Sequence, residues 1–264
     1  MIDTSNTVPV AVTHQGHVAT IEVQRPPTNY FDLDVLRRIA DLGLELAESG
    51  TRAIVLASQG KHFCAGANFG SGGMGQDRVA ESREIYRAAH RIFTIPVPVV
   101  AAVQGSAVGG GLGLACAVDF RVAAPSTRFH ANFAQLGFHQ GFGLSVSLPR
   151  IVGTQTASRL LLTAERVTGE QAATIGLADV LVGDEDDANA AVREGALGLA
   201  TTLAARAPLA VRSMRTTLRD GLADEVAAIL EREISEQARL WQTADSTEGI
   251  AANLERRPAE FTGR

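Results

Sequence analysis

The sequence predicts an α/β protein, with buried strands alternating with helices and then giving way to a helical C-terminal part. Three observations predict it. Ala53–Ser58 and residues 99–103 are continuous apolar runs, short enough for strands with both faces buried. Each follows a segment of helical period, the order in which a crossover unit feeds a mostly parallel sheet. From Thr154 onward the pattern is almost wholly helical.

Taken in order, residues 8–12 and 18–23 read as a hairpin turning near Gln15-Gly16. Arg25-Pro26-Pro27 ends its second strand, because neither proline can donate to a ladder. Asp32 or Asp34 caps a helix running to about Glu48, with Leu33, Leu36, Ile39, Leu42 and Leu46 on one face. Ser49-Gly50 stops it. The glycine-rich stretch 70–75 reads as a mobile loop, followed by a helix over about 77–93 that Pro96 and Pro98 separate from the next strand. After that strand come a glycine-led helix through Leu112, Leu114, Ala115 and Ala117, and a short strand, Phe120–Ala123. Residues 128–148 mix short helical turns with glycine breaks. Thr168 and Gln171 have capping-box spacing, and residues 177–182 suggest a last short strand. Helices are expected over 187–205, 208–218, 222–241 and 247–256, several with wide apolar faces.

The stretch 98–119 organises the chain. Gly109, Gly110 and Gly111 stand between the apolar run and its helix, leaving backbone N–H groups uncovered at an electropositive helix entrance. Such a place can hold an oxygen that becomes anionic during a reaction, although a glycine run taken alone also fits close backbone packing. A second buried strand, Ala53–Ser58, runs into GKHFCAGANF, so two strand ends can aim N–H groups at one point.

Together GKHFCAGANF and VAAVQGSAVGGGLGLACAVDFRVA resemble the crotonase superfamily, the enoyl-CoA hydratase/isomerase family, and the likeness extends from RPPTNYFD to EGIAANLERRPAEF. The resemblance implies a spiral of repeated strand–helix units over residues 1–195 and a helical region, 196–264, that forms trimers or hexamers. It implies an acyl-CoA thioester substrate, coenzyme A arriving as part of it and no permanently bound cofactor. Ala67 and Gly110 would supply the two N–H groups of an oxyanion hole. Ala65, Ala67, Asn68 and Phe69 would follow the pantetheine and adenine, Arg25 would meet the phosphates, and Arg256 and Arg257 match a basic pair that can reach a neighbouring subunit's nucleotide. Three positions depart from the pattern. Asn68 stands where many members carry aspartate, and Gly113 and Phe133 stand where hydratases carry their two glutamates. Neither of the last two can move a proton, so the usual hydration mechanism is not expected. Among the remaining titratable groups, His139 in LGFHQGFG is the candidate substitute, ahead of His130 and His62.

The chain has 264 residues and a formal net charge of −5, which argues against a general nucleic-acid surface. A mean hydropathy of +0.07 fits a globular protein. Cys64 and Cys116 read as reduced thiols of a cytoplasmic protein. No signal peptide, membrane-spanning run or metal-ligand spacing is visible. Three other readings stay open. One is an acyl-CoA-binding protein with little turnover. Another is a family variant performing thioester hydrolysis, carbon–carbon cleavage or decarboxylation. The third, a serine peptidase, lacks a recognisable nucleophile turn around Ser145. GGGLGLAC does not complete a dinucleotide-binding fingerprint.

Overall fold

The structure, a computed structural model, describes residues 8–67, 78–183 and 187–264. The hairpin of β1 (Val10–Gln15) and β2 (Val18–Val23) is antiparallel, pairing Val10 with Val23 and Gln15 with Val18. Helix α1 (Leu33–Glu48) begins at Asp32, whose carboxylate accepts the Val35 N–H at 3.0 Å. Asp32 is therefore the cap, and Asp34 lies in the first turn. Then come β3 (Ala53–Ser58), buried along its whole length, α2 (Arg78–Phe93) and β4 (Val99–Ala102). The expected glycine-rich loop 70–75 lies outside the described residues.

Next follow β5 (Ser106–Val108), α3 (Gly110–Ala117), β6 (Phe120–Ala123) and β7 (Arg128–His130). A single 3₁₀ turn, Ala134–Leu136, leads to α4 (Leu144–Val152) and α5 (Thr154–Thr163). After β8 (Arg166–Thr168), the capping box at Thr168 and Gln171 starts α6 (Gly169–Thr174), and β9 (Val180–Leu181) follows. The remainder is helical: α7 (Ala188–Ala204), α8 (Pro208–Leu218), α9 (Leu222–Leu240) and α10 (Ala244–Glu255).

The larger sheet runs in the order β1-β2-β3-β4-β6-β9, parallel apart from the β1–β2 hairpin. Its two faces are covered by different parts of the chain. Ile54 and Leu56 point into the main core with α1 and α2, whereas Ala53, Val55 and Ala57 point to the opposite face. There they meet Val192, Ala196, Ala200 and Ala204, a stripe of residues four apart on α7. A side chain at Gly195 would come within 2.7 Å of Val182, so α7 sits tightly on the sheet. Because α7 passes unbroken through residue 195 and packs on β2, β3, β4 and β6, a division there would cut a helix in two. We propose that the core extends to Ala204 and the helical region begins after it.

A second sheet, β5-β7-β8, was not foreseen. Its strands are three residues each, too short for a period-two pattern to stand out against neighbouring glycines. Both cysteines are free and buried, and burial pushes each thiol up to about 12. Arg121, buried, donates to Asp179 at 2.7 Å and to the Leu177 carbonyl at 2.7 Å, fastening β6 to the segment before β9.

Candidate active site

The site forms where the loop after β3 is drawn between two other segments. Phe63 donates to Gln104 O and Cys64 to Ser106 O, while Val108 donates back to Cys64 O. On the other side, Ala65 donates to Thr28 O and Phe31 to Gly66 O. Asn29, in the left-handed region at φ 48° and buried, fixes that side. Its amide donates to Gln59 O at 2.8 Å and His62 O at 2.6 Å, and its oxygen accepts from Arg25 N at 2.9 Å. The side-chain amide of Gln104, itself buried, donates to Ser58 O at 2.5 Å.

This double clamp sets Gly66 and Ala67 beside the entrance of α3. Gly66 has φ +93°, and a Cβ on it would lie 2.9 Å from Val108 O and 3.5 Å from Gly110 N. Glycine at 66 therefore leaves the Gly110 N–H uncovered. Among the described residues, neither Ala67 N–H nor Gly110 N–H has a hydrogen-bond partner. Two unpaired donors at a helix entrance make a small electropositive spot without any charged side chain.

Both residues line a cavity of about 170 Å³. Its walls are aromatic: Phe31 meets Phe142 edge-on at 5.4 Å, Phe133 meets Phe138 at 6.1 Å, and Phe138 meets Trp241 at 6.2 Å. Tyr30, Tyr86, Ser82, Asn132, Gln237 and Asn253 add the polar groups. Among the described residues, no Asp, Glu, His, Lys, Arg or Cys lines it.

A polar layer leads back from the wall. Tyr86 donates to Gln237 Oε1 at 2.9 Å, and Gln237 donates to His139 O at 3.0 Å. Burial, and then the charge of Glu233, hold the Tyr86 phenol above its ordinary range. Glu233 is fully buried and accepts from Gly143 N at 2.8 Å, Ser145 N at 3.1 Å and Ser145 Oγ at 2.6 Å, covering the start of α4. Burial raises its pKa, and the Ser145 hydroxyl opposes that rise most strongly.

The candidate residues thus fall into groups. Ala65, Ala67, Gly110 and Phe133 line the cavity together. Gly113 faces away from open space: a Cβ there would lie 2.5 Å from Phe142 Cβ and 2.7 Å from its Cγ. Phe142, in the left-handed region at φ 64°, fills that volume with an aromatic ring. His139, the candidate substitute base, is not in the cavity wall. It is half-buried, with Nδ1 2.8 Å from Gln140 O. His130 bonds Ala164 O at 2.9 Å and His62 lies against Gly105; burial depresses the pKa of both, and neither lines the cavity. Arg25 pairs with Asp32, and Arg257 with Glu248 and Glu255, away from the cavity wall. Arg256 closes α10 in the left-handed region and is exposed. Asn68 and Phe69 lie outside the described residues. Sequence reasoning missed Tyr86, Phe142 and Gln237. Tyr86 and Gln237 sit on amphipathic helices where each reads as an ordinary interface residue, and the glycines flanking Phe142 were the signal for a forced turn.

The α/β fold of two sheets with a helical C-terminal part is a crotonase fold. The enoyl-CoA hydratase/isomerase family profile matches residues 13–264, and the chain belongs to that family. It is 34% identical over 249 residues to a Rhodobacter capsulatus protein described as "Probable enoyl-CoA hydratase", covering 94% of this chain and 95% of that one. The fold is similar to an enoyl-CoA hydratase structure from Mycobacterium avium subsp. paratuberculosis, with TM-score 0.82 and 26% identity over 97% of this chain and 100% of that one. It is also similar to Pseudomonas aeruginosa DspI, with TM-score 0.75 and 30% identity over 99% of each.

Proposed function

We propose that the protein binds an acyl-CoA thioester, with the carbonyl oxygen on the N–H groups of Ala67 and Gly110, and acts by stabilising the thioester enolate. The pair of unpaired N–H groups on the cavity wall carries this reading. Enolate formation moves negative charge onto the carbonyl oxygen, and preorganised donors stabilise that charge more than they stabilise the substrate. One such donor lowers the barrier by about 3 kcal/mol.

Hydration of a double bond needs a base for water and an acid for the α-carbon. Gly113 and Phe133 offer neither, and the aromatic wall disfavours a held water. Crotonyl-CoA is therefore bound but poorly hydrated. Asn68 and Phe69, with Arg25, belong to the coenzyme A path in this reading, and Arg256 and Arg257 to a neighbouring subunit's nucleotide. Trimers or hexamers in the cytoplasm complete it, with the exposed Leu209, Met214 and Leu218 of α8 as support for association. The second reading, an acyl-CoA-binding protein with little turnover, is favoured by the same missing carboxylates.

The test is a panel of acyl-CoA thioesters, read by melting temperature for binding and by mass spectrometry for products. A stabilising shift with conversion of at least one thioester supports the enzyme, and a shift with no conversion supports the binding protein. A melting temperature indifferent to every thioester overturns both.

A further inference from the structure

We propose that Tyr86 is the side chain that exchanges a proton with the α-carbon of the bound thioester; this rests on the enolate reading above. Proton transfer needs a titratable group in the wall, and among the described residues only Tyr30 and Tyr86 qualify. Tyr86 is the one built into a network. Its hydroxyl donates to Gln237 Oε1 at 2.9 Å, and the backbone of Phe142 hydrogen-bonds to it. A Cβ on Gly141 would lie 1.8 Å from the hydroxyl, so only glycine there lets the chain pack against the oxygen, and Tyr86 and Gly141 both line the cavity. Phe142, the next residue, has a ring atom 3.8 Å from where a Gly110 Cβ would stand. Tyr86 and Gly110 thus both neighbour Phe142, and all three line the cavity.

The step balances without a further reagent. The phenolate oxygen takes the α-hydrogen as a proton. The C–H electron pair becomes the enolate double bond, and the carbonyl π pair moves onto the oxygen held by Ala67 and Gly110. In reverse, the phenol O–H breaks, its proton goes to the α-carbon and the phenolate remains. Exchange of the phenol proton with solvent then carries label into the substrate.

The pH dependence distinguishes this group from a histidine. Glu233 on α9 is the charge acting on Tyr86, whereas His139 on the intervening loop acts on Glu233. Burial and Glu233 both raise the phenol's pKa, so the phenolate is a minor species near neutrality. Below that pKa its fraction rises about tenfold per pH unit. Exchange should climb with that slope through mildly alkaline pH, where a histidine base has already levelled off.

The experiment incubates the full chain with butyryl-CoA in heavy water, following deuterium at the α-carbon by mass spectrometry and binding by melting temperature. Expected are exchange by the wild type with the rising profile, and a loss of about 100-fold or more in Tyr86→Phe with the thioester-induced shift retained. Exchange by Tyr86→Phe at the wild-type rate overturns the proposal, as does loss on Tyr30→Phe in its place. Binding without exchange by the wild type overturns the proposal but leaves thioester binding standing, whereas no binding removes the underlying reading as well. If Tyr86→Phe fails to fold, a ring-fluorinated tyrosine at 86 keeps the hydroxyl and lowers its pKa. The profile must then move to lower pH, and an unmoved profile overturns the proposal.

Discussion

Gly113→Ala tests whether Phe142 fills the volume into which a side chain at 113 would project. The added Cβ would lie 2.5 Å from Phe142 Cβ, 2.7 Å from Cγ and 3.0 Å from Cδ1, in a helix whose neighbours are buried. Overpacking of this kind costs about 1–3 kcal/mol. Replacing glycine within a helix returns about 1 kcal/mol, so clash and propensity oppose one another and the clash wins over most of that range. The partner substitution is Phe142→Gly, which removes the Cβ and relieves the left-handed backbone at φ 64°. It also opens a cavity, so it is destabilising by itself. In the double variant the clash is gone and the helical gain of about 1 kcal/mol remains, giving a favourable coupling of about 1–3 kcal/mol in a double-mutant cycle. The assay is denaturant unfolding of all four proteins at matched concentration. A stabilising Gly113→Ala, or strict additivity in the cycle, would refute the reasoning and mean that Phe142 does not occupy the volume a side chain at 113 needs.

Other outcomes follow from the same coordinates. Gly110→Ala would set a Cβ 2.5 Å from Phe31 Cζ and displace the N–H. The thioester-induced melting shift should shrink, and turnover of any converted thioester should fall about 10²–10³-fold. Glu233 has a pKa raised by burial, so the folded protein holds its proton longer than the unfolded chain. Wild-type stability should therefore decline as pH rises from the ordinary carboxylate range to the raised value, and Glu233→Gln should remove that decline in pH-dependent unfolding. Glu248 has the opposite sign: hydrogen bonding from Arg257 holds it at about 2. Its contribution is present above the ordinary glutamate pKa and is lost as pH falls toward 2, a loss that Glu248→Gln should abolish. Leu209 and Leu218 are 80% and 83% exposed in the single chain; if the proposed trimer or hexamer forms through them, converting both to aspartate should shift light scattering to monomer.

What was legible in the sequence were features with long periodicity or strong punctuation. Leu36, Ile39, Leu42 and Leu46 mark α1 and its face because four apolar residues at helical spacing leave little alternative. Ala53–Ser58 was bounded correctly by the glycines and charges around it. The meeting of the glycine segments at 66 and 109–111 was legible too, and close packing accounts for part of it, since a Cβ on Gly111 would lie 2.1 Å from Cys64 O and one on Gly66 2.9 Å from Val108 O. The aromatic wall was not. Phe31, Phe138, Phe142 and Trp241 come from three separate segments, and a lone aromatic is silent about which cavity it faces. The place of His139 outside the wall was not legible either, because neighbouring glycines signal an exposed turn but do not fix which way a ring points. The three short strands of the second sheet gain their pairing from partners over twenty residues away, information that no local window holds.

Helix α8 has no buried residue and is fastened by arginines instead. Arg215 and Arg219 reach the two oxygens of Asp119 at 3.0 and 3.2 Å, Arg219 also reaches Ala117 O, and Arg212 reaches Ala47 O. In an isolated chain, lifting α8 away would expose guanidinium groups and carbonyls but little hydrocarbon. Because sensitivity to denaturant and change in heat capacity both scale with newly exposed surface, and the latter chiefly with its apolar part, such an opening would be nearly blind to urea and thermally shallow. Its amides should therefore exchange with solvent by a route separate from global unfolding, recognisable by protection that barely changes as denaturant is added.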